Sequence, residues 1–178
     1  MKKFVILLLS LLLAQCKGPE PRRAVKKSSG SILKESAARN KRLLKEEDAL
    51  FQKIIAQDSM HTYTHSNFGS WFYYTKKDTL TNYTAKPNDL VTMTYTILNT
   101  ANDTIYSYKE IDTIKYKVDL QELFPGLRHS VKLLKENETA TFLYPSSLGY
   151  GYHGDDNKIG INVPLKATIS ILKIEKQH

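Results

Sequence analysis

The side chains able to carry covalent chemistry are few in this chain of 178 residues, and their spacing argues against it. Ser146-Ser147 follow a proline but lack the Gly-x-Ser-x-Gly elbow that exposes a nucleophile. Asp155-Asp156 read as two solvated loop carboxylates, and no Gly-rich phosphate loop follows any strand pattern. His61 and His65 are four residues apart on one face of a strand pattern with no third ligand nearby, so no metal and no cofactor are expected. Two other stretches organise the chain. One is PSSLGYG at 145–151, which carries Tyr150; the other is LFPGLRHSVKLL at 123–134.

Apolar residues at 123, 124, 127, 131, 133 and 134 predict one short amphipathic helix entered through Pro125-Gly126. Strand patterns surround it. LVTMTYTIL (90–98) alternates, and the turn residues of 99–103 separate it from TIYSY (104–108). IDTIKYKVD (111–119) sets Ile114, Tyr116 and Val118 on one face and Lys115 and Lys117 on the other. TATFLY (139–144) runs into the 145–151 stretch, a loop follows, and LKATISILKIE (165–175) closes the chain. The expected architecture is α+β: an antiparallel sheet, apolar on one face and wet on the other, with one short helix across the apolar face.

This order and these residues resemble the FKBP-type peptidyl-prolyl isomerases, over about residues 87–175. In that family the equivalent stretches read roughly VIxGWxxGLxxMxxGE, IPPxLAYG and LxFxVELLxI. The resemblance implies a curved antiparallel sheet wrapped around one short helix, with the substrate pocket between them. Residue by residue, Tyr95 falls on the Tyr of the family's VHYTG, and Ile105 on the Phe of FDSS, with Tyr106 in place of the Asp that follows it. Tyr116 or Val118 takes the place of the next strand's aromatic, and Leu123 and Phe124 match the Val-Ile pair before the helix. Leu127 stands for the Trp of the pocket floor, Tyr150 for the Tyr of AYG, Ile159 for an Ile of the following loop, and Ala167 for the closing strand's Phe.

The chemistry implied is modest. Rotation about an amide crosses a barrier of about 18–20 kcal/mol because resonance keeps it planar, and an X-Pro bond lies close to that. A dry pocket of Leu123, Phe124, Leu127 and Ile159 would withdraw water from the planar, charge-separated amide, and the less polar twisted form loses less by this. The backbone N–H of Phe124 and the Tyr150 phenol would hold peptide carbonyls while the proline turns. The partners implied are proline-containing unfolded or exported polypeptides. Smaller walls at Ile105, Leu127 and Ala167, and the missing carboxylate at Tyr106, imply lower efficiency and weak binding of macrolide inhibitors such as FK506. A chaperone or binding module that keeps this fold without isomerase activity is the alternative reading.

The first half of the chain supplies the address. MKKFVILLLSLLLAQC combines a Lys pair, an apolar run too short to span a bilayer comfortably and the chain's only cysteine. Leu13-Ala14-Gln15-Cys16 resembles a bacterial lipobox, with Gln15 departing from the usual small residue; it implies a signal peptide at 1–15 and lipidation of Cys16. A basic linker (16–31), a charged helix (32–58, with Ser31 as its N-cap) and aromatic strands (60–84, joined near 67–69) lead to the isomerase domain at 85–178. Residues 1–79 hold 15 Lys/Arg against 7 Asp/Glu, while residues 80–178 hold 11 of each, so the net charge of +8 belongs to the arm. A basic stretch beside a lipid anchor suits anionic headgroups, and the neutral folded half argues against nucleic acid. The order of lipobox, charged helix, GSWFYY strand and isomerase domain is similar to gliding-motility-associated FKBP-type lipoproteins of Bacteroidetes. That resemblance implies a membrane-anchored periplasmic folding catalyst supporting motility or secretion. Four Asp-Ser/Thr-Met/Leu/Ile triplets, starting at Asp58, Asp78, Asp103 and Asp112, resemble the O-glycosylation signal of that phylum, and the sequons at Asn82, Asn102 and Asn137 read as chance.

Overall fold

A computed structural model of the protein describes residues 29–177. The expected signal peptide, Cys16 and the expected linker through residue 28 lie outside the described residues. The chain divides into two units, residues 1–38 and 39–178. Of the first, the described part is the opening of a helix, α1 (Ser29–Gln57), and everything that positions the site belongs to the second. The expected N-cap, Ser31, lies inside α1. No helix of the described residues is long and apolar enough to cross a membrane.

Seven strands form one antiparallel sheet: β1 (Thr64–His65), β2 (Trp71–Lys76), β3 (Leu90–Leu98), β4 (Thr104–Tyr106), β5 (Ile114–Lys117), β6 (Thr139–Tyr144) and β7 (Leu165–Glu175). Their order is β1-β2-β6-β7-β3, with β4 and β5 sharing the far edge of β3. A helical turn, α2 (Tyr108–Ile111), separates those two edge strands. The sequence patterns 104–108 and 111–119 thus run too long as strands. Ser107 ends the first by capping α2, its Oγ accepting from the Glu110 N–H at 3.3 Å.

Inward residues line up in rows across the sheet. One row runs Phe72, Phe142, Ala167, Ile97, Tyr106 through successive register pairs, and the next runs Tyr74, Ala140, Ile169, Tyr95. A third helix, α3 (Pro125–Val131), supplies Leu127 and Val131 to this face, and both are fully buried, as is Leu134 just beyond it. Burying each such side chain is worth about 1.5–3 kcal/mol. The fold is α+β, FKBP-like, with a curved sheet wrapped around one short helix and an N-terminal helix before it. Bulges in the β2–β6, β3–β4 and β3–β7 pairings add to the twist that curvature requires.

Two contacts fix α3 on the sheet close to the loop after β6. Ser130 Oγ and the Tyr144 hydroxyl are hydrogen-bonded at 2.6 Å in the core. Gly126 brings the helix backbone against β6: a Cβ there would lie 2.6 Å from Tyr144 Cδ1 and 2.9 Å from the Leu148 carbonyl oxygen. Residues 39–57 of α1 pack with Leu43, Glu47, Leu50, Phe51, Ile54 and Ile55 turned from solvent, a helical spacing with one acid in its stripe. Phe51 is 2% exposed.

Candidate active site

A cleft of about 340 Å³ opens over the β3–β4 end of the sheet, lined by Tyr95, Ile97, Tyr106, Ile111, Tyr150 and Asp155. Strand alternation puts Tyr95 and Ile97 on one face of β3, and Tyr106 joins them because it pairs with Ile97. Ile111 arrives from the C-terminal end of α2. Tyr150 follows the short 3₁₀ turn Ser146–Leu148, and Asp155 comes from the loop beyond it.

The structure therefore brings together three of the expected site residues: Tyr95, Tyr106 and Tyr150. Phe124 stands directly behind them, 8% exposed, its ring 5.4 Å from that of Tyr150 and 5.6 Å from that of Tyr144. It occupies the N-cap of α3 in extended conformation, where the N–H lies outside the helix's own ladder. Leu127, Ile159, Ala167 and Tyr116 are in the hydrophobic core and do not line the cleft, and Val118, the alternative to Tyr116, is core as well. Leu123 and Ile105 are partly buried against that core. Ala167 sits between Phe142 and Ile97 in its row, so its small side chain keeps the sheet surface low beside the cleft.

Burial is the main reason that the Tyr150 phenol is pushed up to about 12, with Tyr95, Asp155 and Tyr106 adding to it. Burial likewise raises Tyr95. Both phenols stay protonated donors through the physiological range.

Asp155 corrects the sequence reading, which placed it in solvent. It is half-buried, and Tyr106 donates its hydroxyl to Asp155 Oδ2 at 2.5 Å. Asp155 Oδ1 accepts from the N–H groups of Asn157 at 3.0 Å and Ile159 at 2.7 Å. Burial alone would raise its pKa, but these hydrogen bonds carry it below the ordinary carboxyl value. Lys158 stitches the same loop to the sheet edge, pairing with Glu110 and donating to the Ile105 carbonyl at 3.2 Å. Gly154 permits the turn: its φ is +77° and a Cβ would meet the Ile159 carbonyl oxygen at 2.5 Å. The carboxylate that Tyr106 lacks thus reaches the cleft from a different element.

Glu47 was missed as well. It is 4% exposed, and its Oε2 accepts from the Ser146 N–H at 3.1 Å, at the start of the turn that leads to Tyr150. An acid in an apolar helical stripe was the signal available in sequence.

Residues 81–172, just over half of the chain, match the family model described as FKBP-type peptidyl-prolyl cis-trans isomerase. The chain belongs to that family. It is 42% identical over 55 residues to a probable FKBP-type peptidyl-prolyl cis-trans isomerase FkpA of Neisseria meningitidis serogroup B, a match covering 31% of this chain. The matched segment spans only 20% of that relative's length. Among solved structures, a peptidyl-prolyl cis-trans isomerase from Pseudomonas syringae pv. tomato superposes with a TM-score of 0.59 at 16% identity, over 76% of this chain and 96% of that one. FkpA from Escherichia coli gives 0.58 at 16% identity, over 98% of this chain and 82% of the other. At that identity the likeness speaks for the fold.

Proposed function

We propose that this protein is a peptidyl-prolyl cis-trans isomerase that turns X-Pro bonds of unfolded, exported polypeptides in the cleft between β3, β4 and the loop after β6. The observation that carries this reading is the pairing of Phe124 with Tyr150, an N-cap backbone donor beside a protonated phenol over an apolar floor. The carbonyl of residue X, which is conjugated with the proline nitrogen, leaves water as the segment enters, and this raises the planar amide in energy more than the twisted one. Tyr150 and the Phe124 N–H grip the flanking carbonyls, so the chain is fixed while the ring rotates. No bond to the enzyme forms, in keeping with a site that has a carboxylate and phenols but no nucleophile–base pair.

We further propose that Cys16 is lipidated and holds the enzyme at a membrane facing the periplasm, where it serves motility or secretion components. The LAQC motif and the basic residues after it support this address.

Tyr150→Phe tests the site role, because it removes only the hydroxyl. One lost hydrogen bond of about 0.5–1.5 kcal/mol lowers kcat/KM roughly 2- to 12-fold while the unfolding midpoint stays in place. An unchanged rate on a proline-limited refolding client would make the phenol purely structural.

A further inference from the structure

Of the six residues lining the cleft, Asp155 alone bears a formal charge. Its three hydrogen-bond donors, the Tyr106 hydroxyl and the N–H groups of Asn157 and Ile159, are all uncharged, so they fix the carboxylate in place without neutralising it. Lys158, on the same loop, lies 4.6 Å over the ring of Tyr106, itself a cleft residue, but its ammonium pairs with the carboxylate of Glu110 and makes no ion pair with Asp155. The two segments that form this rim, 105–112 and 150–159, hold Glu110, Asp112, Asp155 and Asp156 against Lys109 and Lys158. Four acids against two bases leave two negative charges in excess, in a chain whose net charge is +8. A fixed charge on a half-enclosed apolar wall acts over a longer range than one in open water.

We propose that Asp155 is a specificity-determining residue, which makes the cleft favour X-Pro segments with Lys or Arg next to the proline and disfavour those with Asp or Glu there. The proposal rests on the isomerase reading for the location of the substrate, and its charge preference is measured separately from turnover. Two unit charges about 8 Å apart, the substrate's on an exposed side chain still surrounded by water, interact enough to change binding roughly two- to three-fold. Attraction in one peptide and repulsion in the other then gives roughly a five- to ten-fold contrast between Lys and Glu.

The test uses the full-length protein and two peptide series, Ala-Xaa-Pro-Phe and Ala-Leu-Pro-Xaa, with Xaa as Lys, Leu or Glu. Titration by NMR chemical shift gives Kd, and exchange NMR gives the isomerisation rate. In at least one series Lys exceeds Glu by roughly five- to ten-fold at low ionic strength, and the ratio falls toward one in about 0.5 M salt as screening sets in. Asp155→Asn brings the ratio close to one even at low salt, whereas Asp156→Asn keeps most of it. Because Asp155 also orders its loop, the salt dependence of the unaltered protein is an independent arm of the test. Equal values for Lys and Glu in both series would overturn the proposal, as would a ratio that survives high salt or Asp155→Asn. Charge-selective binding without turnover would sink the isomerase reading and leave this one standing; turnover without charge preference would do the reverse.

Discussion

Replacing Gly126 by alanine adds one methyl group where α3, β6 and the loop after it meet. The new Cβ would stand 2.6 and 2.8 Å from Tyr144 Cδ1 and Cε1 and 2.9 Å from the Leu148 carbonyl oxygen. Tyr144 is fully buried and held by Ser130, and Leu148 contributes backbone, so neither neighbour can yield cheaply. Overpacking of this kind costs about 1–3 kcal/mol. Helix propensity acts in the opposite sense, favouring alanine over glycine by about 0.8–1 kcal/mol, so a net loss of stability isolates the steric contribution. The displaced groups also lie next to the site: Phe124 is two residues before Gly126, and Leu148 is two before Tyr150. Isomerisation kcat/KM therefore falls by roughly ten- to a hundred-fold while the variant is still folded, a 1 Å misplacement costing up to about a hundred-fold. Urea unfolding followed by Trp71 fluorescence, with exchange NMR on an X-Pro peptide, measures both quantities. A variant about 1 kcal/mol more stable than the original, the helix-propensity gain with no steric loss, turning over at the same rate, would refute the packing argument.

Three further outcomes are expected. Phe51→Ala, at a residue 2% exposed on α1, costs about 3–5 kcal/mol in chemical denaturation, because that part of α1 is built into the second unit. On acidification stability falls in two stages. His129 has its pKa lowered by burial and then by Lys132 and Arg128, so the stability tied to its neutral form is present above its ordinary value of 6.5 and is lost as pH falls through the lower folded value. Asp155, also lowered, contributes stability that is present above the ordinary 3.8 and disappears further into acid. Urea midpoints from neutral pH downward show both stages, and His129→Phe, which can keep the stack on Phe68, removes the first. For the proposed anchor, Cys16→Ala abolishes a lipid adduct in the intact mass of the membrane-extracted protein; an unmodified mature cysteine in the original would end that proposal.

Where a strand or helix repeats a simple period, its place was legible in the residues. LVTMTYTIL, TATFLY and LKATISILKIE are β3, β6 and β7 over those same residues; in β3 and β7 alternation leaves one register that buries the apolar set, while β6 is buried on both faces from Ala140 to Tyr144. Bulges break the period invisibly. In β7 the alternation that buries Leu165, Ala167, Ile169 and Ile171 slips at Leu172, which is 45% exposed, and resumes at Ile174. The helical turn α2 was hidden too, since Ser107 reads as a strand residue until its capping bond is seen, and with it Ile111 was lost from the cleft. Ile97 was within reach, two residues from Tyr95 on the same face. Asp155 was not: its partner Tyr106 is 49 residues away, and no local pattern marks that contact. Glu47 meets Ser146 across 99 residues for the same reason.

The most direct test of the account is two-dimensional exchange NMR on an X-Pro tetrapeptide with catalytic amounts of the purified full-length protein. Cross-peaks between cis and trans resonances should grow with enzyme concentration, well above the uncatalysed exchange that takes tens to hundreds of seconds. They should weaken in Tyr150→Phe without loss of fold. Exchange that stays at the uncatalysed rate while the peptide visibly binds in the cleft would contradict the claim, leaving a protein with the isomerase fold that holds proline segments and does not turn them.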